Sequence, residues 1–285
     1  MDNTTEHSVL IIGGPNAGKT HFGGQFYGRL ISRKFSYKIA PNNLPSDLTI
    51  FEDVINKLSE GKRAGHTEAS ANRNIELKID DQNGNKVVFA FPDYAGEQVN
   101  FIVDNRRINN TWKQYIDTSS SWLLFVRLDD LKPVEDIINK GIPEPEEIKK
   151  RNSTPPPVKV SDAAYFVELL QMLLYMKGIP SLSKITSPNL TIVLSCWDLL
   201  KQPENTVPVE VLKERLPLLY HFLKNTWSNQ SLSVIGLSST EKTLTDEADE
   251  DYIDRTPIIF GFIINSKGER ENDLTLSIQT FIGRE

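Results

Sequence analysis

The stretch Ser8–Thr20, SVLIIGGPNAGKT, constrains this chain more than any other. Val9, Leu10, Ile11 and Ile12 are four apolar residues in a row, the pattern of a strand buried on both faces of a parallel sheet. Gly13-x-x-x-x-Gly18-Lys19-Thr20 follows at once, with Gly14, Pro15, Asn16 and Ala17 between. A glycine-rich turn between a buried strand and a helix lets successive backbone N–H groups face inward, where they surround phosphate oxygens. A helix opening near Lys19, with His21 in its first turn, adds the positive end of its dipole beneath such an anion. In this pattern Lys19 reaches the β- and γ-phosphates and the Thr20 hydroxyl ligates Mg²⁺. A chance glycine turn would need neither the strand before it nor the helix after it.

Composition narrows the rest by exclusion. The 285 residues carry 38 acids against 32 bases, a net charge of −6, and 39% hydrophobic residues, a globular balance rather than a disordered or collagen-like one. The length alone suggests two domains. No dense Lys/Arg run marks a nucleic-acid face, so none is expected as a partner. Apolar runs such as Pro257–Ile264 fall far short of the ~20 residues of a membrane span. Met1–His7 is polar and does not read as a secretory leader. The single cysteine, Cys196, fits a reducing, cytoplasmic compartment. His7, His21, His66 and His221 lie too far apart for a zinc site.

Two more strand ends carry chemistry. Ile75-x-Leu77-x-Ile79 alternates like a strand, Asn83-Gly84 is a turn signal, and Lys86–Phe91 is a second apolar run, together a hairpin. It ends at Asp93-Tyr94-Ala95-Gly96. An acid there can hold Mg²⁺ through water. Gly96, three residues on, can bring its N–H to a γ-phosphate, a hydrogen bond that hydrolysis would break to release the segment. Leu190–Asp198, LTIVLSCWD, is another buried strand closing on a carboxylate, at the sheet edge where open α/β folds bind ligands. Asp198 either accepts hydrogen bonds from guanine N1–H and its 2-amino group, or caps the next helix.

GxxxxGK[ST], DxxG and a strand-end aspartate, in this order, resemble the Ras-like and translation-factor-related class of P-loop GTPases. The resemblance implies an α/β fold, a three-layer sandwich with a mostly parallel sheet and one antiparallel strand. It also implies GTP or GDP as ligand and a Mg²⁺ shell of Thr20, Asp93 and a further threonine. Thr67 lies where the class places that threonine, and Thr49 competes but opens a helix-like stretch. Ser238-Ser239-Thr240, after the strand Leu232–Leu237, resembles the loop that touches the guanine edge. GGPNAGKT, DYAGEQ and the terminal Asn272-Asp273-Leu274-Thr275 look like bacterial double-GTPase proteins of conflict- and immune-type gene clusters.

The departures are informative. The base motif reads Ser195-Cys196-Trp197-Asp198, so Ser195 is left to hydrogen-bond the loop and Cys196 replaces a lysine whose stem covers the base. Glu97 follows the switch glycine where a water-orienting glutamine is usual, and Gln98 comes one position late. An anion beside a γ-phosphate implies slow intrinsic hydrolysis, on the order of 10⁻³ s⁻¹ or less. Arg63 is either an arginine finger in cis or a solvated base. Asn16 either holds K⁺ or shapes the loop.

The remaining segments read as follows. Glu97–Asp117 and Val209–Trp227 have helical spacing, the latter kinked at Pro217. Ser121–Leu128 and Pro257–Ile264 read as strands. Asp162–Met176 is a helix whose leucine face packs in the core or against a second copy. Asp129–Pro157 mixes prolines with charges, a passive loop or a docking arm, and Thr240–Arg255 is an acid-rich, solvated loop near the nucleotide edge. Because residues 13–20, 93–96 and 195–198 must meet at one nucleotide, the two-domain prior gives way to one enlarged domain over 1–285, with surplus near 34–66, 129–160 and 241–272. The expected function is a slowly hydrolysing GTP switch that signals to a protein effector, with an activating protein as a second partner. A nucleotide-gated scaffold and a P-loop phosphotransferase or ATPase are the alternatives. The oligomeric state stays open.

Overall fold

Strand β1, Glu6–Ile12, sits at the centre of the sheet with its apolar run split between two cores. Leu10 and Ile12 face one layer of helices, Val9 and Ile11 the other. The computed structural model describes residues 6–32, 34–39, 48–65, 74–80, 86–92, 96–131, 160–180 and 183–283. The other strands are β2 (Ile75–Asp80), β3 (Lys86–Phe91), β4 (Ser121–Arg127), β5 (Asn189–Ser195), β6 (Leu232–Ser238), β7 (Phe262–Ile264) and β8 (Arg270–Glu271). They form an eight-stranded sheet ordered β2-β3-β1-β4-β5-β6-β7-β8. Strands β3, β1, β4, β5 and β6 run parallel. Covered on both faces, they carry apolar runs such as Val9–Ile12 in β1, Val87–Phe91 in β3 and Trp122–Val126 in β4. Edge strand β2 alternates buried with more exposed positions and pairs antiparallel with β3, as the hairpin predicts; its turn, 81–85, lies outside the described residues.

Helices cover both faces, giving the expected three-layer α/β sandwich. On one side lie α1 (Lys19–Ile31), α2 (Thr49–Ser59) and the short terminal α9 (Ile278–Phe281). On the other lie α3 (Glu97–Asn105), α4 (Asn110–Thr118), α5 (Asp162–Lys177), α6 (Pro208–Arg215) and α7 (Pro217–Thr226). Helix α5 is capped by the Ser161 hydroxyl, which accepts from Ala164 N, and ends at Gly178 in the left-handed region. Its Leu169, Leu170, Leu173 and Leu174 are buried, worth roughly 1.5–3 kcal/mol each when fully removed from water. That is the core reading of this face, while Tyr175 stays exposed. No described helix is long and apolar enough to cross a membrane.

Several elements differ from their sequence reading, each for a local reason. A second antiparallel strand joins β2: β7 runs antiparallel to β6, and β8 antiparallel to β7. Glu97–Asp117 is two helices, because Arg106 takes a left-handed φ of 50° and the Asn109 side chain caps a new start by accepting from Trp112 N. Val209–Trp227 breaks outright at Leu216 (φ −133°, ψ 62°), where Pro217 begins α7 without an N–H to continue α6. Pro257–Ile264 is only half strand: Pro257–Ile259 is a 3₁₀ turn, and Gly261 turns the chain at φ 103° before β7. Thr240–Arg255 is not merely a solvated loop. It folds into α8, Glu250–Asp254, and stacks the buried Tyr252 on Phe260 with ring centroids 3.8 Å apart. With Leu244, Val54 and Leu58 these rings make a small core of their own. The arm at 132–159 lies outside the described residues.

Helix α1 carries three glycines on packed faces, and each marks a close approach. A Cβ at Gly23 would lie 2.5 Å from the Phe51 ring, one at Gly28 2.7 Å from Ile258, and one at Gly24 would strike the Val54 side chain, 2.7 Å from its Cβ. The missing side chains let α2 and the 257–259 turn lie directly on the helix behind the phosphate loop. In an open helix Gly→Ala gains up to about 1 kcal/mol of propensity. Here overpacking against the stiff, β-branched Val54 costs roughly 1–3 kcal/mol and dominates. Gly24→Ala should therefore lower the melting temperature by several degrees in thermal unfolding. An unchanged or raised midpoint would show that α2 yields freely.

Candidate functional site

A cavity of 540 Å³ opens at the carboxyl ends of β1, β4, β5 and β6. One wall is the phosphate-type loop, Pro15 to Thr20, with His21 behind it. Burial lowers the His21 pKa, favouring a neutral imidazole. Asn16 and Gly18 take left-handed conformations, φ 60° and 87°. Gly18 lies against Ser195, where an added Cβ would be 3.3 Å from the serine Cβ. Helix α1 begins at Lys19 with no side-chain cap on its first amides. The Lys19 ammonium is buried and donates to Gly13 O at 2.5 Å and to Gly14 O at 2.9 Å. Lys19 and Thr20 make further interactions beyond these.

Gly96 comes down on the same loop. With φ 84°, an added Cβ would fall 2.5 Å from the Gly14 carbonyl carbon and 2.6 Å from Lys19 Nζ, so only glycine fits. Glu97, the first residue of α3, is exposed and lines the cavity. Gln98 turns elsewhere: its Oε1 accepts from Asn109 Nδ2 at 3.1 Å, and it is not part of the cavity wall. Asp93 and Thr67 lie outside the described residues. Thr49 stands at the start of α2, away from the cavity.

The opposite wall carries the base-type motif. Ser195 ends β5 fully buried, and its hydroxyl donates to Val126 O at 3.4 Å, to the neighbouring strand rather than to the loop expected from sequence. Cys196 takes φ 54°, and burial pushes its thiol up to about 11. Trp197 is buried against Gly236, where a Cβ would lie 2.6 Å from the indole, so Trp197 supports the wall from beneath. Asp198 lines the cavity as the second residue of the 3₁₀ turn Trp197–Leu200. The residue at the cap is Cys196, and no side chain caps the turn, so the helix-cap alternative for Asp198 is not realised. Ser238 is buried and its Oγ accepts from Glu241 N at 2.9 Å, which shapes the turn that presents Ser239 and Thr240 to the cavity. The Tyr252 hydroxyl donates to Thr240 O.

Arg63 closes a third side, but its guanidinium is engaged. Nε and Nη2 grip both Asp246 oxygens at 2.8 Å, which raises the arginine pKa and holds the carboxyl below its usual range. Backbone bonds beside the pair, Arg63 N to Thr245 O and Asp249 N to Gly61 O, both 2.9 Å, join the two segments.

Residues missed from sequence also line the cavity, among them Arg127, Lys242 and Leu244. Arg127 ends β4 as Asp198 follows β5, so the carboxyl-edge argument applied to every strand would have found it. The loop at 242–246 belongs to the segment expected near the nucleotide edge, but nothing in its sequence singles out Lys242 or Leu244 as wall residues.

Comparison with known proteins gives these geometric findings a family. Among solved structures, the GTP-bound Ski7 GTPase-like domain of S. cerevisiae is similar at 14% identity and a TM-score of 0.40, over 87% of this chain and 46% of that one. The Arl6 BBS3 small GTPase of Trypanosoma brucei, with a bound nucleotide analogue, matches at 13% and 0.38 over 82% and 88%. Elongation factor SelB of Methanococcus maripaludis, in complex with a GTP analogue, matches at 9% and 0.36 over 84% and 31%. The chain thus spans less than half the length of the Ski7 and SelB chains. No curated protein matches it. A family model described as Double-GTPase 1 matches residues 10–281. That match runs from β1 through the phosphate loop and the Asp198 turn into the last helix, and the chain belongs to the Double-GTPase 1 family.

Proposed function

We propose that this chain is a guanine-nucleotide switch that binds GTP with Mg²⁺, hydrolyses it slowly and signals to a protein effector. The observation that carries the reading is convergence. Lys19 on its loop, Gly96 pressed against that loop, and Asp198 across the cavity come together around 540 Å³, a volume suited to one nucleotide. On this reading the loop amides and Lys19 hold the phosphates, and Asp198 accepts from the guanine edge with Ser239 and Thr240 alongside. Because these groups come from 15–21, 96–97, 195–199 and 239–246, the chain is read as one enlarged nucleotide-binding domain.

Thr20 supplies a hydroxyl on the cavity wall, an oxygen donor of the kind a hard cation takes, and on this reading Asp93 and Thr67, which lie outside the described residues, would be the further ligands. Bound there, Mg²⁺ would neutralise charge on the β- and γ-phosphates. This chain's own contribution to hydrolysis is weak. Glu97 puts a carboxylate where a water-orienting amide would serve, Gln98 is directed to Asn109, and Arg63 reaches a phosphate only after leaving Asp246. Those same contacts favour the second reading, a nucleotide-gated scaffold that barely hydrolyses. Asn16 shapes the loop through its left-handed backbone, which is the role its geometry supports. The family resemblance adds a bacterial defence-type setting to the effector proposal.

Titration of GTP, ATP and XTP against the purified protein tests the reading. GTP should bind best, and Lys19→Ala should abolish binding. Asp198→Asn should shift the GTP-to-XTP preference by on the order of 10²-fold toward XTP. An unchanged preference would remove Asp198 from the base site. Single-turnover hydrolysis should run on the order of 10⁻³ s⁻¹ or slower without a partner. A rate near 1 s⁻¹ would overturn the account of Glu97.

A further inference from the structure

The base motif lacks a cation at Cys196, and the structure carries one on the next strand. Strands β4 and β5 pair in parallel with Arg127 level with Ser195, which sets Arg127 beside the motif. Its side chain lines the same cavity as Cys196 and Asp198 and is one-third exposed, 32%. Two of its nitrogens are fixed by Asp129, Nε to Oδ1 at 3.0 Å and Nη2 to Oδ2 at 2.9 Å. Nη1 donates to the Asn16 carbonyl of the phosphate loop at 3.4 Å. Asp129 raises the Arg127 pKa, so the charge is permanent.

We propose that Arg127 is a base-contacting, affinity-determining residue, doing from the end of β4 what the cysteine at 196 cannot do from just beyond β5. This rests on the guanine-nucleotide reading above and extends it. A guanidinium is planar, weakly hydrated and stacks on aromatic faces, so it can lie along a purine as well as a lysine stem does. The bidentate grip of Asp129 orders the side chain before the nucleotide arrives, which spares the entropy of fixing it on binding. Its third arm ties the loop that holds phosphate to the wall that holds the base. A merely structural arginine, serving only to anchor Asn16, would act through the loop and therefore on the phosphates.

The test measures GDP affinity by fluorescence titration, alongside competition by inorganic triphosphate, which has no base. Arg127→Ala should weaken GDP roughly tenfold, the range of a desolvated cation–π contact, and leave triphosphate competition within about twofold. Arg127→Lys should keep part of the affinity. Adding Cys196→Lys to Arg127→Ala should restore most of it, by returning a cation to the base motif. Equal weakening of GDP and triphosphate would overturn the proposal in favour of a loop anchor, as would failure of the Cys196→Lys rescue in a double variant that melts like the single one. Wild-type GDP affinity in Arg127→Ala would sink this inference alone, whereas a wild-type protein that binds no guanine nucleotide would sink the reading beneath it as well.

Discussion

Two backbone carbonyls organise the site. Gly13 and Gly14 both point at the Lys19 ammonium, and a buried cation demands such acceptors, since an unpaired one costs several kcal/mol. Charge-assisted bonds of this kind contribute about 1.5–3 kcal/mol each. To aim both oxygens inward the loop must curl, which puts Asn16 and Gly18 in the left-handed region. The curled loop becomes the seat for everything around it. Gly18 rests on Ser195, Gly96 rests on Gly14 and Lys19, and Arg127 reaches Asn16. One small knot of backbone thus sets the relative positions of β1, β4, β5 and the start of α3.

The far wall is built differently, from segments that the sequence marks only as surplus. Residues from 48–65 and 241–261 pack on each other through Val54, Leu58, Leu244, Tyr252 and Phe260, a core separate from the two that flank the sheet. Helix α1 holds this unit from beneath with side chains aimed at backbone. Gln25 donates to Pro257 O at 3.0 Å, and Arg29 donates to Phe260 O at 2.7 Å. Arg29 is wholly buried, hydrogen-bonds to no carboxylate among the described residues, and is lowered by burial to a pKa of about 10 against the opposing pull of the more distant Asp273 and Glu241. Such a cation is tolerated because carbonyls and the Gln25 side chain receive both Nη groups, while Nε finds no acceptor among the described residues.

What can be read from sequence follows this division. The parallel strands are legible because burial on both faces leaves an apolar record, unbroken in Val9–Ile12 and broken only by the buried Thr191 in Leu190–Leu194. The meeting of the loop, Gly96 and Asp198 is legible because each follows the carboxyl end of a parallel strand. The break at Pro217 reads only as a kink, since a proline announces strain but not how far the chain departs. The glycine stripe of α1 is silent in sequence because inside a helix a missing side chain signals nothing until its neighbour is known. The Arg63–Asp246 pair and the wall it joins link positions 183 apart, and no local pattern encodes such a partner.

That separation bears on how the molecule is made. The bonds from Gln25 and Arg29 to the Pro257–Phe260 backbone span 232 and 231 residues, among the most distant pairings a chain of this size can hold. Contacts at such range form late, because loop-closure entropy must be met before they return anything. During synthesis the phosphate loop emerges well ahead of the wall that completes its cavity, which is held in place only once residues near 260 have left the ribosome. A nascent chain therefore exposes a half-built anion site until the distant segment that walls it has emerged and folded back.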